Sequence, residues 1–284
     1  MSFLENISPD QVRAHPFPHV VVENVIDQEL CDQLIAQFPQ QEIIAGTQRH
    51  AKTTKYYLNA EQSQRDSRVT PLWKQTLLDL VQPNVWHSLV RIFGDSLLRE
   101  YPDFEGRYGA LSGFRIGNRR QEDFSNKDVL LDSKALIHTP VFDSSEIERL
   151  PHLKDFRTVF LAYLFLRPDD DKSEGADFDF YSVRPGKPIL LGPRQTAKPV
   201  QLKLETRVPY RKNTLVMFLN TPRSFQGVTA RSASVKPYVA LHFTAHLPSR
   251  LYNPRSSVAK RLSYIPRFIG KKLRSRRLNR IRRA

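Results

Sequence analysis

The sequence predicts an α+β, mainly β fold: a jelly-roll core behind an N-terminal helical layer. Three observations predict it. Apolar residues recur at helical spacing until about residue 105. Beyond that point the chain breaks into short alternating runs separated by Pro, Gly, Asp and Asn, the pattern of a β-sandwich or jelly roll. With 284 residues, 40% of them hydrophobic and 10% aromatic, the chain can bury one sizeable core.

The elements follow in order. Residues 16–26 alternate and are β-branched, as in a strand, and Asp27 is placed to cap a helix carrying Leu30, Cys31, Leu34, Ile35 and Phe38 on one face before Pro39. Residues 40–69 are polar and turn-prone and are expected to form a loop over one end of the core. Thr70 and Pro71 open a helix with Trp73, Leu77, Leu78 and Val81 on one side. Pro83 interrupts it, and Val85, Trp86, Leu89, Val90 and Phe93 continue until Gly94, read as its stop. Both Trp residues are expected to pack helix against sheet. The clearest strands are 134–141, 159–167, 177–183, 199–207, 213–219 and 237–246. This divides a domain over 1–254 into an N-terminal α/β layer, 16–104, and a core, 105–250.

Charge is distributed unevenly. Of the formal net charge of +15, the last thirty residues carry 12 Lys or Arg and no Asp or Glu, leaving +3 for residues 1–254. In that basic tail, 255–284, Lys271, Lys272, Arg274, Arg276 and Arg277 are interrupted by Ile269, Leu273, Leu278 and Ile281, a modest amphipathic pattern. Anionic membrane surfaces and nucleic acid are both expected partners for such a segment, the membrane ranked first because no base-stacking aromatics accompany the charge. The longest apolar run, Val159–Leu166, is too short to span a bilayer, and no secretory signal opens the chain. With Cys31 as the single cysteine, no intramolecular disulfide forms. A cytoplasmic location is expected, peripheral at the inner membrane surface if the tail meets lipid.

Two motifs carry the functional reading: Leu150-Pro151-His152-Leu153-Lys154-Asp155 and Ser224-Phe225-Gln226-Gly227-Val228-Thr229. Together with the runs 134–141, 160–171, 175–181 and 208–222, their order and spacing resemble the 2-oxoglutarate/Fe(II) dioxygenase superfamily, in its bacterial prolyl-hydroxylase-like branch. The resemblance covers about residues 16–250 and implies a double-stranded β-helix, a cupin-like jelly roll. It also implies Fe(II) and 2-oxoglutarate as cofactors. That family writes Pro-His-x-Asp before its first core strand and Ser-x-His-Gly-Val-Thr after a later one. Here His152 keeps the first ligand position, Lys154 stands at the Asp position and Gln226 at the distal His position.

The departures change the expected chemistry. A His and an Asp two apart on an extended segment face the same side, which is how such a motif presents two ligands of a facial triad. A protonated ammonium cannot ligate, Asp155 falls one residue late unless a bulge turns it, and the amide of Gln226 is a weaker donor than imidazole. A rebuilt metal site from His138, His152 and His242 with Asp155 is the alternative. For the carboxylate of 2-oxoglutarate, the family's Arg on the last core strand is missing, and Lys236 is the nearest cation, with Tyr238 and Tyr163 as hydroxyl partners. Alternation puts Lys236, Tyr238, Ala240 and His242 on the interior face of that strand, and Val239, Leu241 and Phe243 toward the helical layer.

Other polar residues have plain readings. His19 and His87 are expected at the surface or in caps, and Asp177 and Asp179 on a solvated strand face. No other catalytic constellation competes. Three functions are therefore expected: a small-molecule or protein binding module that has lost iron, an active hydroxylase with an unusual metal site, or an interaction protein acting through its tail.

Overall fold

The computed structural model describes residues 3–46, 53–141, 149–186, 189, 191, 192 and 195–253. Met1–Leu251 make up one compact unit and Tyr252–Ala284 a second. The basic segment 255–284, including Lys271, Lys272, Arg274, Arg276 and Arg277, lies outside the described residues.

The chain enters through β1 (His19–Glu23), and Asp27 caps α1 (Gln28–Ala36) by accepting from the N–H groups of Glu29 and Leu30. The stretch 40–69 is not a loop. It holds α2 (Gln41–Ala45), β2 (Lys55–Asn59) and α3 (Ala60–Arg65), the last opened by a reciprocal cap between Asn59 and Gln62. Next come α4 (Pro71–Asp79) and α5 (Pro83–Glu100), each with Pro in its first turn, and then α6 (Phe104–Tyr108). Gly94 does not stop α5. The helix runs through it to Glu100, and a Cβ there would make only ordinary contacts, 3.5 Å to Val90 Cγ1 and 4.0 Å to Leu111 Cδ1.

Eleven strands are named among the described residues. After the short β3 (Ile116–Asn118), the core strands are β4 (Val129–His138), β5 (Arg149–His152), β6 (Thr158–Phe165), β7 (Phe178–Val183), β8 (Leu202–Val208), β9 (Thr214–Leu219), β10 (Phe225–Val228) and β11 (Tyr238–His246). The larger sheet runs β1-β9-β6-β11-β4-β2, with β3 added parallel to β4; the smaller runs β5-β10-β7-β8. Apart from β3, all pairs are antiparallel. From β4 to β11 the chain changes sheet at every connection except that between β7 and β8, which are neighbours in the smaller sheet. That alternation, with orders β9-β6-β11-β4 and β5-β10-β7-β8, is a double-stranded β-helix.

Each face of β6 is covered, which is why it reads as an unbroken apolar run and is buried at all eight positions. Outward, Phe160 meets Trp86 and Phe93 of α5 at 5.7 and 5.6 Å between ring centroids. Inward, Leu161, Tyr163 and Phe165 join Phe17, Phe178, Phe180, Tyr210 and Phe218 between the sheets. Trp73 and Trp86 are fully buried, their indole N–H groups donating to the carbonyls of Leu34 and Leu111. His19 departs from the surface reading: it opens β1, is fully buried against Phe180, and its Nδ1 bonds the Phe17 carbonyl. His87 is exposed on α5.

The connection between β6 and β7 is tied down by buried charge. Asp171 bonds Arg231 at 2.7 Å, and Arg231 also donates to Ser173 Oγ and to the Lys236 carbonyl. Gly175 sits there at φ +78°, and a Cβ on it would come within 1.9 Å of the Ala230 carbonyl oxygen, so only glycine fits. Asp179 is likewise buried rather than solvated, taking both arms of Arg207 at 2.8 Å, while Asp177 accepts from the Tyr210 N–H.

Candidate functional site

Strand pairing brings the two motifs together. His152 on β5 lies directly opposite Gln226 on β10, so the residues at the first and distal positions share one wall. Across from them, the interior face of the larger sheet presents rows set by its register. Lys55, His138 and Tyr238 form one row; Asn59, Lys134, His242 and Tyr163 form another four residues along. Between the sheets lies a cavity of about 380 Å³, its mouth included, lined by Leu136, Tyr163, Phe178, Val228 and Tyr238 and by the polar groups of Lys55, His138, His152, Lys154 and Gln226.

Lys154 points into this space. Its ammonium donates to the Tyr163 hydroxyl at 2.7 Å. The Tyr163 ring in turn meets the His242 ring at 4.4 Å, and Lys55 lies 5.8 Å from the Tyr163 ring centre. Burial holds the His242 imidazole well below its ordinary pKa, and the ammoniums of Lys154, Lys55 and Lys134 push it further down. His242 is therefore neutral at pH 7, and its Nδ1 has no hydrogen-bond partner among the described residues.

Gln226 carries the sharpest anomaly. It is 1% exposed, and neither Oε1 nor Nε2 has a hydrogen-bond partner among the described residues. An amide offers two donors and an acceptor, and buried groups of that kind are almost always satisfied in native proteins.

Below His242 the same sheet face ends in a buried charge cluster. Asp132, fully buried, bonds Lys134 at 2.7 Å and takes Arg120 at 2.9 Å. Burial opposes its ionisation, but Lys134 and Arg120 outweigh burial and hold its pKa below the usual carboxylate value. His246 accepts from Arg119 at 2.8 Å, and burial followed by that guanidinium lowers its pKa to about 3.

The remaining candidate residues are dispersed. Asp155 is exposed and faces its own turn, where its Oδ1 accepts from the Arg157 N–H, so no bulge aims it at the cavity. Lys236 precedes β11 and ion-pairs with Asp170 at 2.5 Å, outside the cavity lining. Tyr238 does line the cavity, and its ring meets that of His138 at a tilt, 4.8 Å between centroids. The rebuilt set is not assembled: among the described residues no three His, Cys, Asp or Glu side chains come together as metal ligands. The residues at the site do not fit Fe(II), because the carboxylate position holds an ammonium, the distal position an amide, and two further lysines act on the adjacent imidazole.

Sequence reasoning missed Lys55 and the Asp132 cluster. The run Lys55-Tyr56-Tyr57-Leu58, rich in β-forming aromatics, was the signal for the strand that delivers Lys55.

No family model and no curated protein matches the chain. Solved structures similar to it include a prolyl-4-hydroxylase from Pseudomonas putida, at 11% identity over 87% of this chain and 100% of that one, TM-score 0.46. A prolyl 4-hydroxylase from Phytophthora capsici aligns at 10% identity over 94% and 74%, TM-score 0.48. A non-heme α-ketoglutarate-dependent carbocyclase from nogalamycin biosynthesis aligns at 15% identity over 90% and 92%, TM-score 0.46. The fold assignment stands on the strand order itself.

Proposed function

We propose that this chain is a divergent member of the 2-oxoglutarate/Fe(II) dioxygenase superfamily whose barrel binds a small molecule without iron. One observation carries the reading: at the carboxylate position the Lys154 ammonium is held by the Tyr163 hydroxyl at 2.7 Å, inside the cavity that His152 and Gln226 also line. A cation fixed there repels a divalent ion and attracts an anion. The cavity lies between two sheets, which favours a small molecule over a protein segment.

The test is the metal content of the purified protein together with its turnover of 2-oxoglutarate. The expected result is iron far below one per chain and decarboxylation at background, since one imidazole and one amide do not compete with water and cellular chelators. Stoichiometric iron with turnover would overturn the reading, and alanine substitutions at His138, His152 and His242 would then locate the ligands.

The tail supports a second, independent reading: a charge contact between residues 255–284 and an anionic membrane surface, motivated by 12 basic residues with no acidic ones. Deleting these residues should leave the rest folded and remove retention on anionic vesicles, with steep salt dependence in the full chain. Stronger retention on duplex DNA at matched salt would assign the tail to nucleic acid instead. No helix among the described residues is long and apolar enough to cross a membrane.

A further inference from the structure

The orphaned amide of Gln226 says more about the ligand than the cations do. It is almost wholly enclosed, it lines the cavity, and both its Oε1 and its Nε2 lack partners among the described residues. A ligand that satisfies it must bring an acceptor for Nε2 and a donor for Oε1. A plain carboxylate brings only acceptors. An aminocarboxylate brings a donor, but its ammonium would enter a cavity lined by the ammoniums of Lys55 and Lys154, where like charges repel. A hydroxyl is the neutral group that donates to Oε1 without that cost. The other walls, Leu136, Phe178 and Val228, offer no polar side-chain atoms and suit a short carbon skeleton. The enclosed space is far smaller than the about 380 Å³ that includes the open mouth, which limits the ligand to a short chain.

We infer that the cavity receives a small hydroxycarboxylate, its carboxylate toward the Lys154 ammonium and its hydroxyl on the Gln226 amide. The inference rests on the metal-free reading above and adds the chemical class. Lys154 supplies charge, and Gln226 supplies the discrimination between a hydroxylated acid and its deoxy counterpart. That discrimination is large when a site built to bond a hydroxyl meets an analogue without one, because the site's own buried groups are then left unpaired.

Malate, succinate and aspartate make a matched set of probes, alike in skeleton and carboxylates and differing in one substituent. Titrated calorimetrically into the full chain, malate should bind about tenfold or more tighter than either of the others. Gln226→Met, close to the Gln side chain in size, should bring malate down to the level of succinate and leave succinate unchanged. Lys154→Met should weaken both acids by about a hundredfold, with the thermal transition of each variant checking that it folds. Equal affinity for malate and succinate, or an unchanged ratio in Gln226→Met, would overturn the hydroxycarboxylate assignment while leaving an iron-free anion site intact. No binding of any of the three at about 10 mM also overturns it. Failure of the underlying reading is separately visible, as stoichiometric iron in the same preparation.

Discussion

Replacing Gln226 by Met should make the ligand-free protein more stable. The amide is 1% exposed with both polar atoms unpartnered, so folding strips it of water and returns no hydrogen bond. Leaving a buried donor or acceptor unsatisfied costs about 1–3 kcal/mol. Met fills nearly the same volume with no such requirement, and a volume-conserving swap costs under about 1.5 kcal/mol in packing. The difference leaves a gain of about 1–2 kcal/mol. For a unit of this size that is a rise of roughly 2–8 °C in Tm, at about 2–4 °C per kcal/mol. Urea unfolding followed by circular dichroism measures it directly: the midpoint should rise with an unchanged slope. Saturating malate should narrow or reverse the gap, because the native side chain binds it more tightly than the variant does and so gains more stability. An unchanged or lowered midpoint would refute the reasoning and show that Gln226 is already satisfied, for instance by a trapped water.

Other predictions concern the frame around the site. Asp132→Asn should cost about 3–5 kcal/mol in urea unfolding, because it leaves Lys134 buried without its counter-ion, and Lys134→Met in the same chain should recover part of that loss. His246, with a folded pKa of about 3 against an ordinary value of 6.5, should destabilise the protein as pH falls between those values, because the unfolded chain takes up a proton that the folded one excludes. The slope is about 1.4 kcal/mol per pH unit, so roughly 2 kcal/mol is lost by pH 5; His242 adds in the same direction, and His246→Gln should flatten the profile by about one proton. Gly175→Ala should cost at least about 2 kcal/mol or prevent folding, given φ +78° and a Cβ that would overlap the Ala230 carbonyl; a neutral thermal shift would contradict this.

Strands with both faces covered were readable from the sequence, since β6 and β9 are buried throughout and show as nearly continuous apolar runs. β2 escaped because it is an edge strand, partly exposed at Lys55, Tyr56 and Tyr57, and set among polar residues. Gly94 was misread because a glycine ends a helix only where it takes a positive φ, and Gly94 does not, so α5 continues to Glu100. That His152 and Gln226 share a site was legible only through the family resemblance of their motifs; their direct opposition came from the pairing of β5 with β10. The anchoring of Lys154 on Tyr163 was not legible, because it joins the segment after β5 to β6 of the facing sheet, a contact that no sequence period encodes. Lys236 was assigned by alternation carried two residues past the start of β11, where the strand period no longer applies. Asp132 sits in a stretch where nothing local distinguishes a buried, triply engaged carboxylate from a solvated one.

Lys154 has a consequence for how the protein meets its surroundings. A charge supplied by a bound metal ion depends on the supply of that ion, on its oxidation state and on competition from chelators. The charge at this point of the barrel is part of the polypeptide, present in every copy from synthesis onward and held in place by Tyr163. On the proposed iron-free reading, ligand occupancy in such a barrel should follow the concentration of the ligand alone and stay unchanged by iron starvation or by oxygen.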